Sequence, residues 1–175
     1  PLGFGSFIWT DGDGDGQFAP SEYSKALRED SDTAFQNIDD DGNYWFISRM
    51  KGKRYLRKIA LTGLNPHGCP VWKWDAPENA LFELPAPLQD PKARFGGFEI
   101  DSARNEVFLF GFPADKPNEC GMNWPLGRFM QRCRIDNGKL TPTHNADLLH
   151  NVIIDKRNKD QAYGAALCGD YLFVA

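Results

Sequence analysis

The chain of 175 residues has 41% hydrophobic residues, enough for the core of one ordinary domain or of part of a larger one. Its formal net charge of −4 provides no basic surface, which argues against nucleic-acid binding. No apolar run approaches the roughly 18 to 20 residues that cross a membrane, so no membrane span is predicted.

An acidic, glycine-rich loop follows the first predicted strand. Residues 11–22 fit the calcium-loop pattern D-x-D-x-D-G-x5-E without a gap. Alternate carboxylates converge on one point in this pattern, and Gly16 permits the sharp turn that a Cβ would obstruct. The loop therefore predicts calcium as the cofactor, held by the side chains of Asp11, Asp13, Asp15 and Glu22 and by the backbone carbonyl of Gln17.

The segments on either side of this loop do not form the helix pair of an EF-hand. Residues 1–10 have an apolar, aromatic composition that predicts a strand, whereas residues 20–28 predict a short helix with Pro20 in its first turn. An isolated loop of this kind indicates structural calcium rather than a sensor. The alternative is a plain acidic turn, but three carboxylates within five residues repel one another unless a cation neutralises them.

The rest of the chain predicts an all-β fold. A second acidic stretch, residues 37–42, lacks the closing carboxylate because Ser48 stands at position twelve, so it predicts a hairpin turn. Similar hairpins are predicted at 35–47, 97–110 and 165–174. A third strand follows at 55–61 and 129–135, and a fourth at 79–84 and 145–149.

Each unit has four predicted strands, and equivalent hairpins recur roughly every 60 to 70 residues. This repeat predicts four-stranded antiparallel propeller blades with long loops. We expect a preceding blade end with the calcium loop and short helix at 1–34, blades at 35–94 and 95–160, and the start of another blade at 161–175. We expect all four to belong to one propeller domain that is truncated at both ends. A single β-sandwich is the alternative, although the long insertions at 62–77 and 113–127 fit its regular turns less well.

Hairpins of the form hydrophobic-Asp-x-x-Gly-Asn-aromatic, and the step Trp9-Thr10-Asp11 into the acidic loop, resemble those of secreted bacterial β-propeller proteins of the NHL-like and quinoprotein-like kind. The resemblance implies an extracellular or periplasmic scaffold or binding module, with carbohydrate or another protein as its partner. Polysaccharide-lyase propellers carry comparable calcium loops. The alternative is therefore part of a propeller enzyme, either lyase-like or a quinoprotein-like oxidoreductase, although this chain shows no catalytic constellation.

Cysteine spacing indicates neither zinc nor attached haem. Cys69 and Cys120, in the two long insertions, form the pair to test first for a disulfide, whereas Cys133 and Cys168 fall in predicted strands and are expected to be buried. In the first insertion, residues 72 and 74 are tryptophans that either stack on sugar rings or belong to a short buried strand, and burial is the favoured interpretation.

Overall fold

The computed structural model describes residues 7–25, 30–115, 126–148 and 164–175. These residues are almost entirely strands and turns, which confirms the predicted all-β fold. The strands are β1 Phe7–Trp9, β2 Tyr23–Lys25, β3 Asp30–Ile38, β4 Tyr44–Met50, β5 Lys53–Ile59, β6 Leu61–Leu64, β7 Pro70–Trp72, β8 Ala80–Glu83, β9 Arg94–Asp101, β10 Glu106–Phe112, β11 Phe129–Asp136, β12 Lys139–Asp147, β13 Ala165–Cys168 and β14 Tyr171–Val174.

The strands form antiparallel sheets of four and of two strands. One four-stranded sheet has the order β3-β4-β5-β8, and another has the order β12-β11-β10-β9. The smaller sheets pair β1 with β2, β6 with β7 and β13 with β14. The three predicted hairpins are therefore confirmed, and so are the third strands of both predicted units. The predicted fourth strand at 145–149 begins earlier, because β12 starts at Lys139.

The predicted propeller is wrong, and so is the resemblance to propeller proteins that carry an inserted EF-hand-type loop. Across the described ranges the strands make separate sheets, and no ring of blades closes. Strand periodicity and turn residues specify antiparallel hairpins locally. Closure of a ring depends instead on how the faces of successive sheets pack, and the period of the strands does not encode that packing.

The predicted short helix after the acidic loop is also wrong. Pro20–Glu22 makes a single turn of 3₁₀ helix, and Tyr23 then enters β2. Pairing with β1 explains this outcome, since Trp9 lies opposite Tyr23 and the N–H of Thr10 donates to the carbonyl of Glu22 at 3.1 Å. Ladder hydrogen bonds and an aromatic residue outweigh a weak helical pattern here. Residues 26–28 of the predicted helix lie outside the described residues.

The chain divides into two compact units, Pro1–Lys51 with Tyr55–Leu81, and Gly52–Arg54 with Phe82–Ala175. In the first unit, Ile8, Phe46 and Ile59 form a buried apolar cluster against which aromatic side chains of β4 and of residues 72 and 74 pack. In the second unit, β10 is buried from Val107 to Phe112, on both of its faces. The predicted segment boundaries, after residues 34, 94 and 160, stay a prediction. Within the described residues, no helix has the length and hydropathy of a membrane span.

Candidate metal site

The β1–β2 hairpin holds the two ends of the acidic loop together. Its register places Trp9 opposite Tyr23, so residues 10 to 22 must leave one strand and return to the next. The hydrogen bond from Thr10 N–H to the Glu22 carbonyl, 3.1 Å, closes the base of the loop. The loop therefore has a fixed span on which its side chains can converge.

Three aspartates meet inside this loop. One carboxylate oxygen from each of Asp11, Asp13 and Asp15 lies within 4.8 Å of the others. Asp11 is buried, with 7% of its surface exposed, whereas Asp13 and Asp15 are exposed. The structure thus brings together three of the predicted ligands, one of them on a buried residue and two on exposed residues.

The Asp11 carboxylate also organises the backbone around it. Its Oδ1 accepts the N–H of Gly14 at 2.7 Å, and its Oδ2 accepts the N–H of Gly16 at 3.0 Å. Gly16 has φ +70°, the left-handed conformation that favours glycine, as the sequence pattern predicts for the sixth position. The loop therefore curls around Asp11 through bonds of its own backbone.

The two exposed aspartates are oriented by shorter local bonds. Asp13 Oδ1 accepts the N–H of Asp15 at 3.2 Å, and Asp15 Oδ1 accepts the N–H of Gln17 at 2.7 Å. Both are Asx-type turns, in which a side chain bonds the backbone two residues on. A carboxylate oxygen can accept more than one hydrogen bond or ligand, so these bonds leave acceptor capacity on both side chains.

Glu22, the predicted closing ligand, lies at the base of the loop but does not join the group of three aspartates. Its Oε1 accepts the N–H of Gly12 at 2.6 Å, while its Oε2 accepts the N–H of Ala19 at 3.1 Å and Trp9 Nε1–H at 3.0 Å. The bonds from the backbone of Gly12 and Ala19 lower the pKa of Glu22 below its ordinary value. The role of Glu22 and of the Gln17 carbonyl as ligands stays a prediction.

These residues fit a calcium ion chemically. Ca²⁺ takes about six to eight oxygen ligands at roughly 2.3 to 2.6 Å, so two oxygens on one ion are separated by at most about 5 Å. The oxygens of Asp11, Asp13 and Asp15 satisfy that limit. All of these ligands are oxygen atoms, which suit a hard cation and not a soft metal ion that prefers thiolate ligands.

The second acidic stretch is a hairpin turn, as predicted. Asp39 is buried, with 8% of its surface exposed, and its carboxylate accepts hydrogen bonds from the N–H of Asp41 and Asn43, the amide of Asn43, and Trp45 Nε1–H. The distances range from 2.7 Å for the indole to 3.1 Å. Both oxygens of this carboxylate thus accept at least two hydrogen bonds from donors of the protein itself.

Sequence reasoning did not identify the turn that supports the acidic loop from outside. Asn65 Nδ2–H donates to the carbonyl of Asp11 at 2.5 Å, and its Oδ1 accepts the N–H of His67 at 3.0 Å and of Cys69 at 2.9 Å. The imidazole of His67 lies against Gly14, where a Cβ would stand 2.5 Å from Nδ1. The run Asn-Pro-His-Gly marks this turn in the sequence, but nothing there says which loop it contacts.

The cysteine predictions have mixed outcomes. Cys69 is a free, half-buried thiol, so the disulfide considered first is not formed, and Cys120 lies outside the described residues. Cys133 is buried as predicted, and burial raises the pKa of its thiol to about 12. The expected burial of Cys168 is wrong because β13 exposes it.

The two tryptophans of the first insertion are half-buried. Trp72 belongs to β7, as the favoured interpretation predicted, and its Nε1–H donates to the carbonyl of Gly42 at 3.0 Å. Trp74 lies edge-on to Phe46, with ring centroids 6.2 Å apart. Both indoles pack against the apolar cluster of the first unit and keep part of their surface in solvent.

Comparison with protein-family models, with characterised proteins and with solved structures gives no significant match.

Proposed function

We propose that this chain binds a calcium ion with the loop Asp11 to Glu22 and that the ion has a structural role. The observation that supports the proposal most directly is the convergence of three carboxylate oxygens, from Asp11, Asp13 and Asp15, within 4.8 Å. The three aspartates would hold the ion together with the Gln17 carbonyl and Glu22, and the ion would supply the positive charge that this group lacks.

Electrostatics favours a cation over a plain turn. Two unit charges 4 Å apart repel by about 1 kcal/mol in water and by about 4 kcal/mol at the effective dielectric constant near a protein surface. Three mutually close carboxylates, one of them on the buried Asp11, therefore oppose the folded loop unless a cation is bound. A divalent cation turns this repulsion into attraction.

The contacts of the loop support a structural role. The Asp11 carboxylate would bind the ion, and the Asp11 carbonyl accepts a hydrogen bond from Asn65 Nδ2–H. Asp11 therefore connects the proposed ion site to the 65–69 turn. An ion that binds only the folded loop stabilises the fold by about 2.7 kcal/mol when its free concentration is 100 times the dissociation constant. An extracellular or periplasmic location is part of this proposal, because calcium modules there work with constants of about 10⁻⁴ to 10⁻³ M.

Calorimetric titration of the chain with calcium tests the proposal. We expect about one ion per chain, and at least tenfold weaker binding by Asp15→Asn, since an amide removes one charge from the ligand set. The matched control is Asp40→Asn, which makes the same change on an exposed residue of the second acidic stretch and should bind calcium normally. No heat of binding with the natural chain, or equal affinity of both variants, would refute the assignment.

A further inference from the structure

An open cleft lies beside the acidic loop in the first unit. Its volume is about 490 Å³, within the range of about 300 to 1,000 Å³ that small-molecule sites occupy. The β1–β2 hairpin and the acidic loop contribute most of its lining, and β7 contributes Val71 and Trp72. The residues that matter for recognition are Thr10, Asp13, Ser21, Glu22, Tyr23 and Trp72.

Two aromatic rings give the cleft rigid apolar surfaces. Trp72 is fixed by its bond to the Gly42 carbonyl, 3.0 Å, and by contact with Tyr44, with ring centroids 6.5 Å apart. Tyr23 is held between Phe7 and Phe18, with centroid distances of 6.2 and 6.4 Å. Because neighbouring side chains fix both rings, a ligand stacked on them would order little additional structure.

Hydroxyl groups of the cleft have hydrogen-bonding capacity to spare. Thr10 uses its backbone N–H to bond the Glu22 carbonyl, but the hydroxyls of Thr10, Ser21 and Tyr23 take no partner from the described residues. Each hydroxyl offers one donor and two acceptor lone pairs. The cleft therefore combines unused hydroxyls with half-exposed aromatic faces.

The charges of the cleft restrict its ligand to a neutral molecule. The described residues that line it include no Lys, Arg or His, so an anion would find no counter-charge among them. Its carboxylates are already engaged, because Glu22 accepts three N–H groups and Asp13 belongs to the aspartate group of the proposed calcium site. A cation would therefore compete with contacts that the loop itself uses.

From this combination we infer that the cleft binds a neutral saccharide and that calcium in the adjacent loop strengthens the binding. A sugar ring presents apolar C–H faces to the rings of Trp72 and Tyr23 and hydroxyls to Thr10 and Ser21. The inference rests on the proposed function, because Asp13 and Glu22 belong both to the loop and to the cleft. Calcium would hold that wall of the cleft in place, and chelation would release it.

Fluorescence titration of the chain with three neutral disaccharides, cellobiose, maltose and N,N′-diacetylchitobiose, tests the inference in calcium and in chelator. Trp72 lines the cleft, so occupancy should change tryptophan emission. We expect at least one disaccharide to saturate below about 10 mM, where a site with a constant of 1 mM is nearly full. Chelator should weaken that binding about tenfold or more. Digalacturonate, which is anionic, and the glucosamine disaccharide, which is cationic, should bind more weakly.

A double variant, Thr10→Val with Ser21→Ala, removes two hydroxyls that take no partner from the described part of the fold. We expect binding to weaken about tenfold, as for the loss of two ordinary hydrogen bonds, with an unchanged melting temperature. The matched control is Thr141→Val, at an exposed position of β12 that does not line the cleft.

The outcomes separate the inference from the proposed function. Calcium binding by calorimetry without response to any neutral disaccharide would overturn the saccharide site and leave the calcium loop standing. Three further outcomes would overturn the saccharide site. They are equal saccharide affinity in calcium and in chelator, equal affinity of the double variant and the natural chain, and tighter binding of a charged disaccharide. Absence of both calcium and saccharide binding would refute both proposals.

Discussion

Two acidic loops of this chain look alike in sequence and differ in how their carboxylates are satisfied. In the turn at Asp39, one buried carboxylate accepts bonds from backbone, amide and indole donors of the same turn. In the loop at Asp11, three carboxylates face one another within 4.8 Å. In both loops an indole N–H donates to a carboxylate, from Trp45 in the first and from Trp9 in the second.

The difference shows that a dense run of acidic residues does not by itself define a metal site. A carboxylate that is surrounded by neutral donors is already stabilised and needs no cation. Carboxylates that share a small volume also repel one another, and hydrogen bonds from backbone N–H groups do not remove that repulsion, whereas a bound cation does. Asp39 and Asp11 are equally deep in the protein, so their partners and not their burial distinguish them.

The largest effect that this comparison predicts is at Asp39. Asp39→Ala should lower the free energy of unfolding by about 3 kcal/mol, because it removes the buried acceptor of the Asn43 N–H and of Trp45 Nε1–H. Urea unfolding in calcium and in chelator should give the same loss, since no ion is involved. Asp40→Ala, at an exposed neighbour, should stay within about 0.5 kcal/mol of the natural chain. A loss that appears only with calcium would abolish the distinction between the two loops.

Calcium removal should have the next largest effect. At free calcium about 100 times the dissociation constant, chelation should lower the free energy of unfolding by about 2.7 kcal/mol. The same experiment on Asp13→Asn should show a smaller response to chelator, about 1.4 kcal/mol for a tenfold loss of calcium affinity. Asp41→Asn, an equal charge change in the second stretch, should respond as the natural chain does. If the natural chain unfolds at the same urea concentration with and without calcium, the acidic loop is a plain turn.

Glycines in the two loops should differ in their tolerance of alanine. Gly42 and Gly16 have similar left-handed φ values, +79° and +70°, but a Cβ on Gly42 would stand 2.7 Å from Leu61 Cδ2, whereas one on Gly16 meets open space. In chelator, Gly42→Ala should cost about 2 to 3 kcal/mol and Gly16→Ala about 1 kcal/mol. Equal losses in urea unfolding would mean that Leu61 moves aside without cost.

The smallest effect should be a pH dependence that comes from Glu22. Because backbone bonds from Gly12 and Ala19 lower its pKa in the folded state, its contribution is complete above the ordinary value of 4.5 and is lost as the pH falls below it. In calcium-free buffer, the urea midpoint should fall less steeply between about pH 5 and pH 3 for Glu22→Gln than for the natural chain. Identical slopes would show that these bonds form equally in the unfolded chain.

Local sequence patterns determined much of this protein. The hairpins around residues 39, 102 and 169, the left-handed turn at Gly16 and the convergence of Asp11, Asp13 and Asp15 all follow from turn residues and spacing. These features depend on bonds between residues a few positions apart, so the sequence specifies them directly. The same locality explains why short strand-like runs separated by turns correctly predicted an all-β chain.

Only the tertiary structure decided the features that depend on distant partners. Pairing of β1 with β2 turned a predicted helix at residues 20–28 into a 3₁₀ turn and a strand, and the separate sheets excluded the predicted propeller. Asn65 reaches the Asp11 carbonyl across 54 positions of sequence, and Trp72 joins the cleft from another strand. Such contacts arise when sheets and turns pack against one another, and a local pattern of residue types does not record which surfaces will meet.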